Sequence, residues 1–126
     1  MTPRYWCYHC YALNTARVGP CTRCSRPIEG PDDLTYDEQL VWTLGHPDGD
    51  RAMLAAQTLG DRGSEMALPA LCRTAEDAPD PFLAVSALES AVQIAGAERL
   101  QDWLERLAHS DSFLIQARAV GFLRRT

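Results

Sequence analysis

The chain contains no lysine. All twelve cationic side chains among its 126 residues are arginines, set against seventeen aspartates and glutamates, for a formal net charge of −5. Neutralising phosphates demands a concentrated cationic surface, so the acidic balance excludes a strong polyanion binder over the chain as a whole. No apolar run approaches the ~20 residues that cross a bilayer as a helix, which excludes a transmembrane reading. Eight Gly and eight Pro are scattered without period, which excludes a collagen-like chain. The opening Met1-Thr2-Pro3-Arg4-Tyr5-Trp6-Cys7 has no apolar segment followed by small residues, so no secretory leader is read there and a cytoplasmic location is expected. A glycine-rich phosphate loop, a paired-carboxylate motif and a nucleophile elbow are all missing, and the expectation is a protein that is not an enzyme.

What is present begins with cysteine. Four of the five fall as Cys7-x2-Cys10 and Cys21-x2-Cys24, ten residues apart. A two-residue gap lets a tight turn aim both sulfurs at one ion, and two such pairs suit one tetrahedral zinc. Gly19-Pro20 before the second pair and Ser25-Arg26-Pro27 after it supply turn formers. Disulfides are disfavoured in a cytoplasmic chain, and two matched pairs argue against a redox dithiol. Four thiolates close the coordination shell, so the expected ion is structural, with metal binding contributing folding energy to a segment of about residues 1–30. His9 could replace a cysteine only by straining the turn.

The segment Tyr5-Trp6-Cys7-Tyr8-His9-Cys10-Tyr11-Ala12-Leu13-Asn14, followed after six residues by Cys21-Thr22-Arg23-Cys24, resembles the Ran-binding-protein type zinc finger. That family reads Trp-x-Cys-x2-Cys-x3-Asn-x6-Cys-x2-Cys. Every spacing matches over residues 4–28, Asn14 falls at the family asparagine, and Tyr5 stands at the family tryptophan with Trp6 shifted by one. The resemblance implies a module that binds ubiquitin, single-stranded RNA or a small GTPase. Ubiquitin-binding members carry Thr-Phe where this chain has Tyr11-Ala12, and an apolar residue where it has Arg23. RNA-binding members carry an aromatic ring where it has Thr15. Contact with RNA through Tyr11, Arg17 and Arg23 stays open beside the preferred expectation, a knuckle that docks on protein.

From residue 31 onward the chain repeats. Ala55, Ala87 and Ala119 recur every 32 residues, and Arg51, Leu83 and Ile115 and also Leu59, Ala91 and Leu123 keep that register. A second set interleaves: Tyr36, Leu68 and Leu100; Leu40, Cys72 and Leu104; Thr43, Ala75 and Leu107. Such self-similarity marks a solenoid in which each unit supplies two short helices that need neighbours. Asp80-Pro81 reads as an N-cap with proline at the first helical position, before an apolar face of Val85, Leu88 and Val92. Leu68-Pro69 opens another helix, with Leu71, Cys72 and Ala75 inward, while Gly45, Gly60, Gly63 and Gly96 are assigned to joints. The expected fold is all-α, with helices near 34–44, 49–60, 67–76, 81–94, 97–109 and 112–125 over residues 31–126. The phrase from Arg51 to Gly63, with Ala67-Leu68-Pro69-Ala70-Leu71, is similar to a HEAT repeat of the short bilin-lyase-like class, whose period is below the ~40–47 residues of ordinary HEAT units.

At the solenoid's start, helix 34–44 lacks a preceding partner. The expectation is that the knuckle, through Trp6 or Ile28, covers Tyr36, Leu40 and Trp42. At its end, Phe113, Ala117, Val120 and Phe122 read as a cap or a docking face. His46 and His109 read as equivalent loop positions, Cys72 as a buried small hydrophobe and Trp103 as core. The acids Asp32, Asp33, Asp37, Glu38, Asp61, Glu65, Glu76, Asp77, Glu98, Asp102 and Glu105 suggest a negative surface for a basic protein partner, relieved by Arg73, Arg99 and Arg106, with local pairing around Glu98, Asp102 and Arg106. The composite expectation is a non-enzymatic protein–protein adaptor, with an RNA- or ribosome-associated factor as the alternative. Its oligomeric state is left open.

Overall fold

Helices stack closely only where their contact residues are small, and the register of alanines meets that condition. The computed structural model describes residues 4–125. The chain folds as two compact units, one through Thr35 and one spanning Tyr36–Thr126. The second unit holds six α-helices among the described residues: α1 (Tyr36–Thr43), α2 (Gly49–Arg62), α3 (Leu68–Asp77), α4 (Pro81–Ala95), α5 (Gln101–Leu107) and α6 (Phe113–Arg124). A 3-10 turn, Glu65–Ala67, leads into α3. Helices α2, α4 and α6 pack in sequence as one layer, and α1, α3 and α5 lie against α2, α4 and α6 respectively. Ala55, Ala87 and Ala119 are all buried at these contacts, along with Ala52, Ala56, Ala84 and Ala91. Leu59, Leu71, Leu88, Leu104 and Ile115 fill the space between layers and are fully enclosed. Truncating such a leucine to alanine costs about 2–5 kcal/mol, so these side chains dominate the unit's stability.

The helix ends follow their local chemistry. Asp48 accepts hydrogen bonds from the N–H groups of Asp50 and Arg51 at the start of α2. Asp80 accepts from Phe82 N–H with Pro81 at the first helical position of α4, and Ser112 caps α6. Gly63 ends α2 in the left-handed region (φ 63°), where a side chain would be strained. Two expectations change. Helix α2 runs on to Arg62, so Gly60 is helical and not a joint; its reason for being glycine is the approach of α4, since a Cβ there would lie 2.7 Å from Ser90 Oγ. Helix α5 begins four residues later than expected, because Gly96 leaves the helix at φ 86°, ψ 151° and Ala97 to Leu100 form turns. That delay removes Glu98 from the helical face, and the local pairing expected with Asp102 and Arg106 does not form among the described residues. Arg99 instead reaches Glu65, 34 residues earlier, with bonds of 2.6 and 3.0 Å.

The first unit contains two short strands that the cysteine spacing does not announce. β1 (Tyr5–Trp6) pairs antiparallel with β2 (Leu13–Asn14), Tyr5 opposite Asn14 and Trp6 opposite Leu13. Cys7, Cys21 and Ile28 form its small core. Gly30 is needed for close approach: a Cβ there would sit 2.5 Å from the Tyr8 ring.

Candidate metal centre

The two cysteine pairs fold as the same knuckle twice. In the first, Tyr11 N–H donates to Cys7 C=O at 2.9 Å, His9 N–H donates to Cys7 Sγ at 3.4 Å, and Cys7 N–H donates to Ala12 C=O at 2.8 Å. In the second, Ser25 N–H donates to Cys21 C=O at 3.0 Å, Arg23 N–H to Cys21 Sγ at 3.3 Å, and Cys21 N–H to Arg26 C=O at 2.8 Å. Each turn closes through a left-handed residue directly after its second cysteine, Tyr11 at φ 63° and Ser25 at φ 66°. Such backbone is costly for non-glycine residues, and the ring of hydrogen bonds in each knuckle holds it there.

The result is a cage of four sulfurs, all within 4.8 Å of one another. Cys7 and Cys24 Sγ are 3.7 Å apart, and Cys10 and Cys21 Sγ 3.6 Å apart. A tetrahedron built on Zn–S bonds near 2.3 Å has edges of about 3.8 Å, so these sulfurs could hold a metal ion with little movement. The electrostatics point the same way. The Ala12 N–H pulls the Cys10 thiol down, but burial and the thiols of Cys21, Cys24 and Cys7 outweigh it and leave Cys10 pushed up to about 11. Cys21 is lowered to about 6, chiefly by the N–H of Cys24 and the Asn14 amide, with the N–H of Arg23 adding to them. The sulfurs of Cys10 and Cys21, 3.6 Å apart, do not readily ionise together, and a divalent cation between them would relieve the repulsion.

Asn14 ties the knuckles together. Buried beside the cage, it accepts at Oδ1 from the N–H and hydroxyl of Thr22 (3.0 and 3.2 Å) and donates from Nδ2 to Cys21 Sγ and Ala12 C=O (3.4 and 3.2 Å). It stands directly behind the Cys21 sulfur and fixes its orientation, the position that outer partners take around bound metals. The resemblance marked its place in the sequence, but only the fold shows this work; Thr22 carried no sequence signal at all. His9 stays exposed, edge-on to the Tyr8 ring at 5.2 Å. Of the candidate contact residues, Arg17 and Arg23 are exposed and Tyr11 is half-buried at the turn, its hydroxyl pKa raised by that burial and by Tyr8. Ile28 packs with Cys7 and Cys21 in the knuckle's own core.

A family model described as HEAT repeats matches residues 38–124. The chain belongs to the HEAT-repeat family. No curated protein and no solved structure matches it. No helix among the described residues is long and apolar enough to cross a membrane.

Within the HEAT repeats, the remaining candidate residues are placed as follows. Trp103 is buried, and its indole N–H donates to Glu76 Oε1 at 2.8 Å, joining α5 to α3. Cys72 is half-buried, more open than expected, and burial followed by the Glu76 charge pushes its thiol pKa up, away from a nucleophile's range. His46 and His109 part company: His109 is exposed, whereas His46 is buried, accepts from Asp48 N–H at Nδ1 (3.0 Å) and meets the Trp42 ring edge-on at 5.7 Å. Several acids read as facing a partner also tie HEAT units together. Asp37 accepts from Arg62 and from Ser64, and Asp61 accepts from Gln93. On α6, Phe113 is 77% exposed whereas Phe122 packs on the core.

Proposed function

We propose that this HEAT-repeat chain is a non-enzymatic adaptor that binds another protein through its helical unit, and that Cys7, Cys10, Cys21 and Cys24 hold one structural zinc ion. The observation that carries the reading is the run of HEAT repeats over residues 38–124, a family whose stacked helices serve as interaction scaffolds. The four-sulfur cage supports zinc because thiolate sets of this size and spacing suit it, and because four sulfur donors leave no open position for substrate or water. Its spacing, with Asn14 bonded to Cys21 Sγ and Thr22 N–H, supports reading the knuckle as the Ran-binding-protein type. A second reading, RNA contact by the knuckle, is favoured by one feature: Arg17, Arg23 and Arg26 all project to solvent from this unit.

Purification of the intact chain with zinc retained, followed by crosslinking and mass spectrometry, tests the proposal. With no lysine in the chain, the crosslinker must be carboxyl-directed or photoactivated. The expected result is a stoichiometric protein partner linked within residues 36–125 and retained after ribonuclease treatment. Recovery that depends on RNA and disappears in Arg17→Ala with Arg23→Ala would replace the adaptor by the RNA reading.

A further inference from the structure

The junctions between successive helices of the α1, α3, α5 layer differ. At the α3–α5 junction Trp103 reaches across to Glu76. One repeat earlier the same registers hold Leu71 and Leu44, which can form no such polar bridge. The α1–α3 junction carries an open cleft of about 790 Å³. Val41, Leu44, Ala70 and Leu83 give it apolar walls. Its end is charged: Asp77 closes α3, Asp80 begins α4, and one cation, Arg73, shares the lining with these two carboxylates. Neither aspartate has an ion-pair partner among the described residues, and Asp80 engages only Phe82 N–H through Oδ1. His46, whose Nδ1 accepts from Asp48 N–H, also lines the cleft.

We propose that this cleft is the adaptor's docking site, and that its occupant is an extended segment of a partner protein presenting an apolar side chain next to an arginine or lysine. The inference rests on the adaptor reading and deepens it. The apolar walls take the partner's aliphatic or aromatic group, and the excess of carboxylate over cation at the α3–α4 turn selects a basic neighbour. An acidic segment would meet Asp77 and Asp80 with like charge, so the same groups that attract one partner reject the other.

The test uses the zinc-loaded full chain and three fluorescein-labelled synthetic peptides of equal length: leucine alternating with arginine, leucine alternating with glutamate, and serine alternating with arginine. Anisotropy should show saturable binding of the leucine–arginine peptide alone, weakened by added salt, and amide shifts in NMR should map to Val41, Leu44, Gly45 and Thr74. Asp77→Asn with Asp80→Ser keeps the α4 cap, since serine accepts the same bond, and should weaken binding about tenfold. Ala70→Trp should fill the cleft and abolish binding while circular dichroism stays unchanged. Equal binding of the serine–arginine peptide, preference for the leucine–glutamate peptide, or a self-association that Ala70→Trp breaks would overturn the assignment of occupant. Shifts confined to Leu114 and Phe122 would overturn the cleft and leave the adaptor reading standing. Failure of all three peptides to bind, together with no crosslinked partner for the intact chain, would remove both.

Discussion

The hydroxyl of Ser90 on α4 donates to the carbonyl of Ala56 on α2 across 2.6 Å, inside the packed layer and 34 residues apart in sequence. Gly60 makes that approach possible, because a Cβ there would meet Ser90 Oγ at 2.7 Å and Ser90 Cβ at 2.8 Å. Neither atom belongs to a long side chain that could swing aside. Gly60→Ala should therefore destabilise the helical unit: overpacking costs about 1–3 kcal/mol, against a helix-propensity gain of about 1 kcal/mol at most. Thermal melts should show a lowered Tm for Gly60→Ala, partly recovered when Ser90→Gly is added.

The Trp103–Glu76 bond is the corresponding tie in the other layer. Trp103→Phe keeps a ring in the core but leaves Glu76 without its indole donor. The expected loss is about 1.5–3 kcal/mol in chemical denaturation, since the bond ends on a carboxylate and the smaller ring leaves space behind it. Glu76→Gln retains an acceptor and should cost less than Trp103→Phe.

His46 gives the stability a pH dependence with a definite sign. Burial first, and Arg51 second, hold its imidazole below the ordinary value of 6.5, with Asp48 opposing them. A base with a depressed pKa contributes stability that is full above its unfolded value and lost as pH falls through the folded one. Protonation also removes the Nδ1 lone pair that Asp48 N–H uses. The Tm of the helical unit should fall as pH drops from neutral into the acid range, and His46→Asn, which keeps an acceptor there, should flatten that limb. A separate decline belongs below the usual carboxylate range, where Asp37 and Glu65, held down by Arg62 and Arg99, take up protons.

Much of this architecture was legible because small residues and cysteines recur at fixed spacing. The 32-residue register of Ala55, Ala87 and Ala119 reveals the layer that must pack tightly, and the two Cys-x2-Cys pairs reveal the cage. What sequence could not show is the set of contacts made by tertiary approach. Gly60 reads as a joint until α4 crosses it. Arg99 sits near local acids in sequence yet bonds Glu65. The left-handed turns at Tyr11 and Ser25 carry residues that do not advertise that backbone, and Thr22 contributes only because Asn14 turns toward it.

Asn14 offers a test of how the cage is supported. Asn14→Ala removes the donor to Cys21 Sγ and the acceptor for Thr22 without touching a sulfur. Loss of such an outer partner typically lowers metal affinity about 10–100-fold. Competition with a chromophoric chelator should show that weakening with the stoichiometry still at one ion, and chelation should expose the amides of the first unit to hydrogen exchange.

X-ray absorption at the zinc edge of the purified full chain tests most directly whether the ion is a passive fastening. Four sulfur neighbours at about 2.3 Å, with no oxygen or nitrogen in the shell, are the expected result. Three sulfurs with one light atom would mean an open coordination position and would contradict a purely structural metal.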